Sequence, residues 1–333
     1  TTTTTTTTAA TSATTSTAST TGTSLALSVI GGATLAVIVL GACTCALRRK
    51  LRRLLSRCAR RTPERIEKLP AAQMVHSFPD RWSFYFLPRD WLLSYDEQTP
   101  LPCWQTLFDQ GVLQIQSIAL ADALQQNLAN THAALTYRWA TPTHPDQDNE
   151  QVGQRVSKIK LHLQKNPRIQ WLWMDWCCLP QAEGGQDLRT PIEKSFFKKS
   201  LQVINMLYLS CQVFVIFDNQ YNGRFWPCIE SWMGMQTIVG EGIRPQLDTS
   251  GLRVQVECIG GAEGSEQEAF DLLRKTLGSQ STSQIINRLS HADIIVTNQS
   301  DKDTQLLKIK DLDHHIRLLY SALVLRPEAH FSV

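Results

Sequence analysis

Phosphate-binding loops are absent from this sequence of 333 residues. Neither GxGxxG nor GxxxxGKS/T occurs, which counts against a dinucleotide-binding dehydrogenase and against a P-loop NTPase. The nine cysteines form no CxxC pair and the eight histidines are dispersed, so we predict neither a metal site nor a disulfide framework. Reduced thiols in a reducing compartment are expected instead.

Charge is also scarce, with a formal net charge of +3 at pH 7, and it is unevenly distributed. Arg48–Arg61 holds eight Lys or Arg residues and no acid, which leaves the remainder near neutral or acidic. This distribution argues against a nucleic-acid surface on the main domain. Hydrophobic content of 42% and charged content of 19% are typical of a globular protein with one sizeable core.

The first 24 residues are almost all hydroxyl residues or alanine, with fifteen Thr and four Ser. Such a segment has little to bury and is expected to be disordered. An O-glycosylated tract on the exterior and a plain low-complexity linker both fit this composition.

Leu25–Leu47 carries no charge over 23 residues. As a helix it would span about 34 Å, enough for a hydrocarbon core of roughly 30 Å. A signal peptide fits poorly because the charges follow the apolar run, and a buried soluble helix of this length without a polar face is uncommon. We therefore predict a single-pass transmembrane helix.

The basic segment Arg48–Arg61 follows the apolar run directly. By the positive-inside rule it places the C-terminal bulk in the cytoplasm, with the basic side chains against anionic lipid headgroups. Ser28, Gly32 and Ala36 recur every four residues and would allow two such helices to pack closely, so a homo-oligomer is expected.

The remaining chain divides into a linker that ends at residue 71, a lead-in region at 72–130 that packs on the main domain, and the main domain at 131–333. In the main domain apolar runs alternate with amphipathic ones, which predicts an α/β fold with a mostly parallel, doubly wound sheet. Predicted strands are Ala133–Trp139, Ile169–Trp176, Gln212–Phe217, Leu252–Ile259 and Ala292–Thr297. Predicted helices are Val152–Gln164, Glu193–Leu209, Phe225–Val239, Glu266–Leu277 and Asp303–Leu325.

The carboxyl ends of the parallel strands should meet in one crevice. Aromatic side chains there could stack on a ring, arginines could hold phosphates, and carboxylates could carry chemistry, which favours a nucleotide or dinucleotide ligand. The side chains predicted at this edge are Tyr137, Arg138, Trp139, Asp175, Cys178, Gln181, Tyr221, Arg224, Trp226 and Glu230. A purely structural reading remains open, in which Asp175 caps a turn or pairs with Arg224, and Glu230 pairs with Arg138 or Arg224.

Four short blocks in this part of the chain resemble the fungal heterokaryon-incompatibility (HET) domain, in the same order. HAALTYRW resembles its opening motif, and LWMDWCCLPQ is similar to its Leu-Trp-Ile-Asp, Cys-Ile and Asn-Gln segment. Glu193–Tyr208 resembles the helix that follows, and YNGRFWPCIE its Arg, Trp and Glu element. Ala140 and Pro180 replace the Gly and Asn that the pattern usually has.

This resemblance implies a flavodoxin-like sheet related to the TIR fold, which either assembles into signalling complexes or cleaves NAD. It makes Glu230 the candidate catalytic carboxylate, although Trp226 and Glu230 are four positions apart where TIR enzymes have three. Trp139 or Trp226 would stack on the nicotinamide or adenine ring, and Arg138 or Arg224 would hold the pyrophosphate. NAD would be a substrate, and no resident cofactor is implied.

Two functions from different classes therefore remain. One is a membrane-anchored HET/TIR-like signalling protein that cleaves NAD. The other is a catalytically silent self-association scaffold that recruits partners at the membrane. A third, a surface receptor with a Thr-rich stalk, fits less of the sequence.

Overall fold

The structure is a computed structural model that describes residues 81–141, 144–145, 152–182 and 187–323. The predicted Thr-rich segment, transmembrane helix and basic cluster lie outside these residues. Within the described part of the chain, no helix is both long enough and apolar enough to cross a membrane.

The strands are β1 (Arg81–Pro88), β2 (Gln114–Ala119), β3 (His132–Tyr137), β4 (Trp171–Trp173), β5 (Gln212–Phe217), β6 (Gln236–Val239), β7 (Gly242–Pro245) and β8 (Val254–Cys258). The helices are α1 (Arg89–Ser94), α2 (Trp104–Asp109), α3 (Leu120–Gln125), α4 (Val152–Lys165), α5 (Asp175–Cys178), α6 (Pro191–Val203), α7 (Asn205–Ser210), α8 (Phe225–Gly234), α9 (Glu266–Leu273), α10 (Thr282–Ser290) and α11 (Gln299–Leu323).

Six strands form one mixed sheet in the order β2-β1-β4-β3-β5-β8. The four strands β4, β3, β5 and β8 are parallel to one another, while β1 is antiparallel to both β4 and β2. The prediction of an α/β fold with a mostly parallel sheet is therefore confirmed. β6 and β7 form a separate antiparallel hairpin.

Helices cover both faces of this sheet. His162 of α4 stacks on Phe214 with ring centroids 3.9 Å apart, whereas Gly234 of α8 packs against Val213. Since neighbouring residues of a strand point to opposite faces, α4 and α8 lie on opposite sides of β5. Residues buried on both faces explain why β3 and β5 are almost continuously apolar.

Helix α8, which carries Glu230, is deeply embedded in the core. Nine of its ten residues are buried, the exception being Trp226. Its close approach to the sheet needs a glycine, because a Cβ at Gly234 would lie 2.7 Å from the side chains of Val213 and Val254. This packing sets the position of Glu230 one turn earlier in the same helix.

Several predicted element bounds were wrong, and each difference has a local cause. The second strand ends at Trp173, because Cys178 N bonds to Met174 O at 2.8 Å and closes a helical turn. The vicinal cysteines therefore lie in a helix and do not alternate across a strand. Further differences include a helix break at Ile204, a helix end at Gly234, and a single bridge from Ile295 to Arg224 where a strand was predicted at Ala292–Thr297. The hairpin β6–β7 and helix α10 were not predicted.

The stretch predicted as a lead-in region contributes two strands to the sheet itself. β1 pairs with β4 through Leu87 and Leu172, and β2 continues the sheet beyond β1. Aromatic side chains of this stretch pack on the main core, as shown by Tyr85 against Phe196 and Phe86 against His132, with ring centroids 5.4 and 5.1 Å apart. The described part of the lead-in region thus completes the core.

Candidate functional site

A cavity of about 310 Å³ opens at the carboxyl ends of β3 and β4, between α6, α7 and α8. This is the edge at which open α/β sheets bind ligands. Eight of the predicted site residues line it: Tyr137, Arg138, Trp139, Asp175, Gln181, Arg224, Trp226 and Glu230. They come from four separate stretches of the chain, so the tertiary fold assembles the site.

Glu230 is a buried carboxyl in the wall of the cavity. Only 8% of the residue is exposed, and the hydroxyls of Thr136 and Tyr208 lie near its carboxyl, where they oppose the effect of burial on its pKa. Burial raises the pKa of Glu230 well above its usual range, and the nearby Asp175 raises it further. Among the described residues no Lys, Arg or His nitrogen pairs with it, so the ion pair with Arg138 or Arg224 is not formed.

Asp175 begins α5 and is held by three hydrogen-bond donors. Its Oδ1 accepts from the Tyr137 hydroxyl at 2.6 Å and from the Trp176 backbone N–H at 2.7 Å. Its Oδ2 accepts from Trp139 Nε1 at 2.8 Å. Burial raises the pKa of Asp175, and these three donors oppose that shift. The carboxylate thus caps its own helical turn and also orients two aromatic walls of the cavity.

The two arginines that line the cavity differ in the ion pairs and hydrogen bonds of their guanidinium groups. Arg138 Nε donates to Asp218 Oδ2 at 2.7 Å in a largely buried ion pair. Arg224 precedes α8 and lines the cavity, and within the described chain its guanidinium has no hydrogen-bond acceptor or carboxylate partner. Arg224 is therefore the better placed of the two for an anionic group of a ligand.

Aromatic side chains form much of the remaining wall. Trp139 packs edge-on against Trp176 with ring centroids 5.6 Å apart, and Trp226 packs edge-on against Phe225 at the same distance. The ring of Tyr137 is covered by the buried guanidinium of Arg155, whose Cζ lies 4.8 Å from the ring centroid. These contacts hold the rings in fixed positions, which favours stacking of a flat ligand.

Gln181 closes the turn that carries Asp175. Its Nε2 donates to the backbone carbonyls of Asp175 at 2.8 Å and Leu179 at 2.9 Å. Its own backbone carbonyl accepts from Gln105 Nε2 at 2.5 Å. Gln181 therefore lines the cavity mainly as a structural support.

Two predicted site residues, Cys178 and Tyr221, do not line the cavity. Cys178 is fully buried, and burial raises its pKa to about 12, so its thiol is neither accessible nor ionised. Tyr221 is fully buried with its hydroxyl 2.9 Å from Thr136 Oγ1 and 2.6 Å from Ser231 Oγ. We correct both assignments: Cys178 belongs to the core, and Tyr221 supports Thr136, the neighbour of Glu230.

Sequence reasoning missed one wall of the cavity, which comes from α6, α7, the segment before α11 and the first turn of α11. Ile295 N donates to Gly223 O at 2.8 Å and Phe225 N donates to Ile295 O at 2.9 Å, which ties that segment to the start of α8. The wide apolar face of α6 and α7 was a visible signal, but the sequence does not show which part of it stays open. The missed lining residues are Phe197, Leu201, Ile204, Tyr208, Ile295, Val296, Thr297 and Asp301.

Comparison with protein-family models, with curated proteins and with solved structures finds no match to this chain. The chemistry of the site therefore has to be argued from its own geometry.

That geometry combines one buried carboxyl, one orienting carboxylate, one arginine without an acid partner, and fixed aromatic walls. Within the described residues no group of three His, Cys, Asp or Glu side chains is arranged to hold a metal ion. The arrangement suits a ligand with a flat ring, sugar hydroxyls and an anionic group.

Proposed function

We propose that this chain is a membrane-anchored HET/TIR-like signalling protein that cleaves NAD at the bond between nicotinamide and ribose. The parallel strands β4-β3-β5-β8 follow the order 2-1-3-4, as in the first four strands of a flavodoxin-like sheet, which supports the TIR-like part of the proposal. The apolar run Leu25–Leu47 and the basic segment after it support an anchor that crosses the membrane once and leaves the α/β domain in the cytoplasm.

The observation that carries the proposal is the position of Glu230. It lies in an aromatic-walled cavity at the carboxyl edge of the sheet, on the same helix as Trp226 and just after Arg224. A carboxylate at this point can stabilise the positive charge that develops on the ribose as nicotinamide leaves with the electron pair of the C–N bond. The oxygen of water then bonds to the ribose carbon and one proton of the water passes to the solvent, which completes the hydrolysis.

The raised pKa of Glu230 fits a cationic substrate. The free carboxyl is favoured in its neutral form, but the positively charged nicotinamide ring beside it favours the ionised form. Binding of NAD would therefore release a proton from Glu230 and create the carboxylate that the reaction needs. Trp139 and Trp226 supply the stacking surfaces, and Arg224 supplies the charge for the pyrophosphate.

The experiment uses the full chain in liposomes that contain anionic lipid, at a density high enough for self-association. Nicotinamide release is measured for the wild type, Glu230→Gln and the control Glu268→Gln, whose side chain is exposed on α9 away from the cavity. We expect release by the wild type and the control and a loss of at least about 100-fold in Glu230→Gln. Equal rates for Glu230→Gln and the wild type would remove Glu230 from the mechanism.

A silent self-association scaffold is the second candidate function. The observation that favours it is that Leu307 and Leu318 of α11 are each 63% exposed and lie eleven residues apart, on one face of the helix. A homo-oligomer would cover this face. Absence of nicotinamide release from folded, self-associated wild type, combined with dissociation in Leu307→Ser/Leu318→Ser, would favour the scaffold over the enzyme.

A further inference from the structure

The surroundings of Glu230 favour its neutral form. The carboxyl is buried, and among the described residues no Lys, Arg or His nitrogen forms an ion pair with it. The nearby hydroxyl of Tyr208 donates to the backbone carbonyl of Leu135 at 3.1 Å, so its single proton is already used. The Thr136 hydroxyl lies 2.9 Å from the hydroxyl of Tyr221. A buried carboxyl without a cation beside it is more stable as the neutral acid.

The charged and titratable groups around Glu230 are consistent with that neutral form. Asp175 lies on the facing helix α5, and its negative charge together with burial raises the pKa of Glu230. Arg138 is engaged by Asp218, and Arg224 forms no ion pair with Glu230 among the described residues. The other titratable neighbours are Tyr208, Tyr221 and Cys228, and burial raises the pKa of each of them, which keeps them neutral.

Asp175 keeps one acceptor position open. A carboxylate offers about four lone pairs, and the Asp175 carboxylate receives three hydrogen bonds, two on Oδ1 and one on Oδ2. The remaining lone pair of Oδ2 can accept from a sugar hydroxyl or from water in the cavity. Two carboxyl groups in one cavity with different hydrogen bonding, one a neutral acid and one an oriented acceptor, form an acid–base pair of the kind that glycosidases use.

The size of the cavity limits the ligand. At about 310 Å³ it lies at the lower end of the range of about 300–1,000 Å³ for small-molecule sites. A base, one sugar and one phosphate near Arg224 match this volume better than a whole dinucleotide, the second half of which would have to remain outside.

We infer that the same cavity hydrolyses nucleoside monophosphates with an uncharged base, with Glu230 as the acid and Asp175 as the base. This inference shares the site of the proposed function but not its substrate. The C1′–N bond breaks with its electron pair going to the base, and the proton of Glu230 passes to that nitrogen. The oxygen of water bonds to C1′ while one proton of the water passes to Asp175. The products are the free base and ribose 5-phosphate, and solvent returns the proton from Asp175 to Glu230.

The two substrates differ in what they need from Glu230. Nicotinamide already carries a positive charge in NAD, so it leaves without a proton and is helped by an ionised Glu230. An uncharged base would leave as an anion unless it is protonated, so it is helped by a neutral Glu230. The two activities should therefore depend on pH in opposite directions.

The test uses the full chain in liposomes, with adenosine 5′-monophosphate and NAD as separate probes, from pH 5 to pH 9. Adenine and nicotinamide release are measured for the wild type, Glu230→Gln, Asp175→Asn, and the exposed controls Glu268→Gln and Asp271→Asn. We expect adenine release to fall about tenfold per pH unit above the pKa of Glu230, while nicotinamide release rises. Adenine release should fall at least about 100-fold in Glu230→Gln, and both controls should retain it.

The outcomes separate the two proposals. Nicotinamide release without adenine release overturns this inference and leaves the proposed function standing, whereas the reverse result supports the inference and overturns NAD cleavage. Adenine release that rises over the whole range up to pH 9 without a fall also overturns it, because a rise at low pH is expected from ionisation of the base Asp175, whereas an acid has to lose its proton and its activity at high pH. This pH profile is measured on the wild type, so it decides the question even if Glu230→Gln does not fold. Absence of both releases from folded wild type overturns both proposals.

Arg224 provides an independent check with the same probes. Arg224→Ala should raise the KM for adenosine 5′-monophosphate at least tenfold and leave the KM for adenosine unchanged, because adenosine has no phosphate. The control Arg168→Ala removes an exposed arginine outside the cavity and should change neither value. An equal rise for both probes in Arg224→Ala would show that the phosphate does not bind Arg224, and would overturn the assignment of a nucleoside monophosphate.

Discussion

The indole Nε1 of Trp139 donates a hydrogen bond to Oδ2 of Asp175 at 2.8 Å. One wall of the cavity is thereby oriented by one of its two carboxyl groups. Trp139→Phe keeps a ring in place but removes this donor, and we expect it to lower the free energy of unfolding by about 1–3 kcal/mol. Denaturant unfolding followed by circular dichroism measures this change.

Trp226→Phe is the matched control for Trp139→Phe. Trp226 lines the same cavity, but its indole nitrogen has no hydrogen-bond acceptor among the described residues. Apart from the effect of the smaller ring, Trp226→Phe should lower the free energy of unfolding by less than about 0.5 kcal/mol. If Trp139→Phe and Trp226→Phe lower the stability equally, the bond to Asp175 contributes nothing measurable.

Gly234 decides how closely α8 approaches the sheet. In Gly234→Ala the new Cβ would lie 2.7 Å from the side chains of Val213 and Val254, so the helix has to shift. We expect a loss of about 1–3 kcal/mol in the free energy of unfolding. Gly223→Ala is the control, because a Cβ there meets nothing within 4 Å. A shift in melting temperature confined to Gly234→Ala is the expected result, and equal shifts would contradict it.

Arg253 is a buried cation that binds only backbone carbonyls. Burial lowers its pKa to about 10, so it remains charged at neutral pH. Its guanidinium joins the ends of α7 and α8 by donating to the carbonyl oxygens of Tyr208, Cys211, Met233 and Gln236. Arg253→Leu leaves these acceptors without their donor, and we expect a loss of at least about 3 kcal/mol.

Urea unfolding of Arg253→Leu and Arg253→Lys measures this contribution. The lysine variant keeps the charge but cannot reach four carbonyls at once, so it should retain only part of the stability. Arg168→Leu, at an exposed position, controls for the loss of a surface charge. Wild-type stability in Arg253→Leu would show that water replaces the guanidinium without cost.

Two buried histidines should make the stability depend on pH. Burial lowers the pKa of His132 and of His162 to about 4, compared with about 6.5 in an unfolded chain. Between these values the unfolded chain binds more protons, so this stability is fully present above about pH 6.5 and is lost as the pH falls towards 4. Each histidine should lower the free energy of unfolding by about 2 kcal/mol when the pH falls from 7 to 5.

The contribution of His162 is isolated by His162→Phe, with the exposed His314→Phe as control. Glu230 acts in the opposite direction, because its raised pKa adds stability at low pH that is lost as the pH rises. Each variant is compared with the wild type at the same pH, so this effect of Glu230 cancels. Urea unfolding is measured at pH 7 and pH 5. Between these pH values the free energy of unfolding should decrease by about 2 kcal/mol less in His162→Phe than in the wild type, and by the same amount in His314→Phe as in the wild type. If the decrease in His162→Phe equals that of the wild type, folding does not lower the pKa of His162.

The sequence by itself determined the regular part of the fold. β5 was predicted with its correct bounds and β3 to within two residues, because strands buried on both faces leave nearly continuous apolar runs. β8 was predicted to within two residues from its alternating pattern. Helix α4 was also recognised from its period. Eight of the ten proposed site residues line one cavity, because parallel strands bring their carboxyl ends to one edge of the sheet.

The tertiary structure alone decided what each side chain does there. The burial of Glu230 beside Tyr208, the bonds from Tyr137 and Trp139 to Asp175, and the burial of Cys178 in the core all depend on contacts between residues far apart in the sequence. The same holds for β1, which joins the sheet through β4, and for Ile295, which closes the cavity through one bridge. Local periodicity indicates which face of an element is apolar, but depth and partners are set by packing across the whole chain.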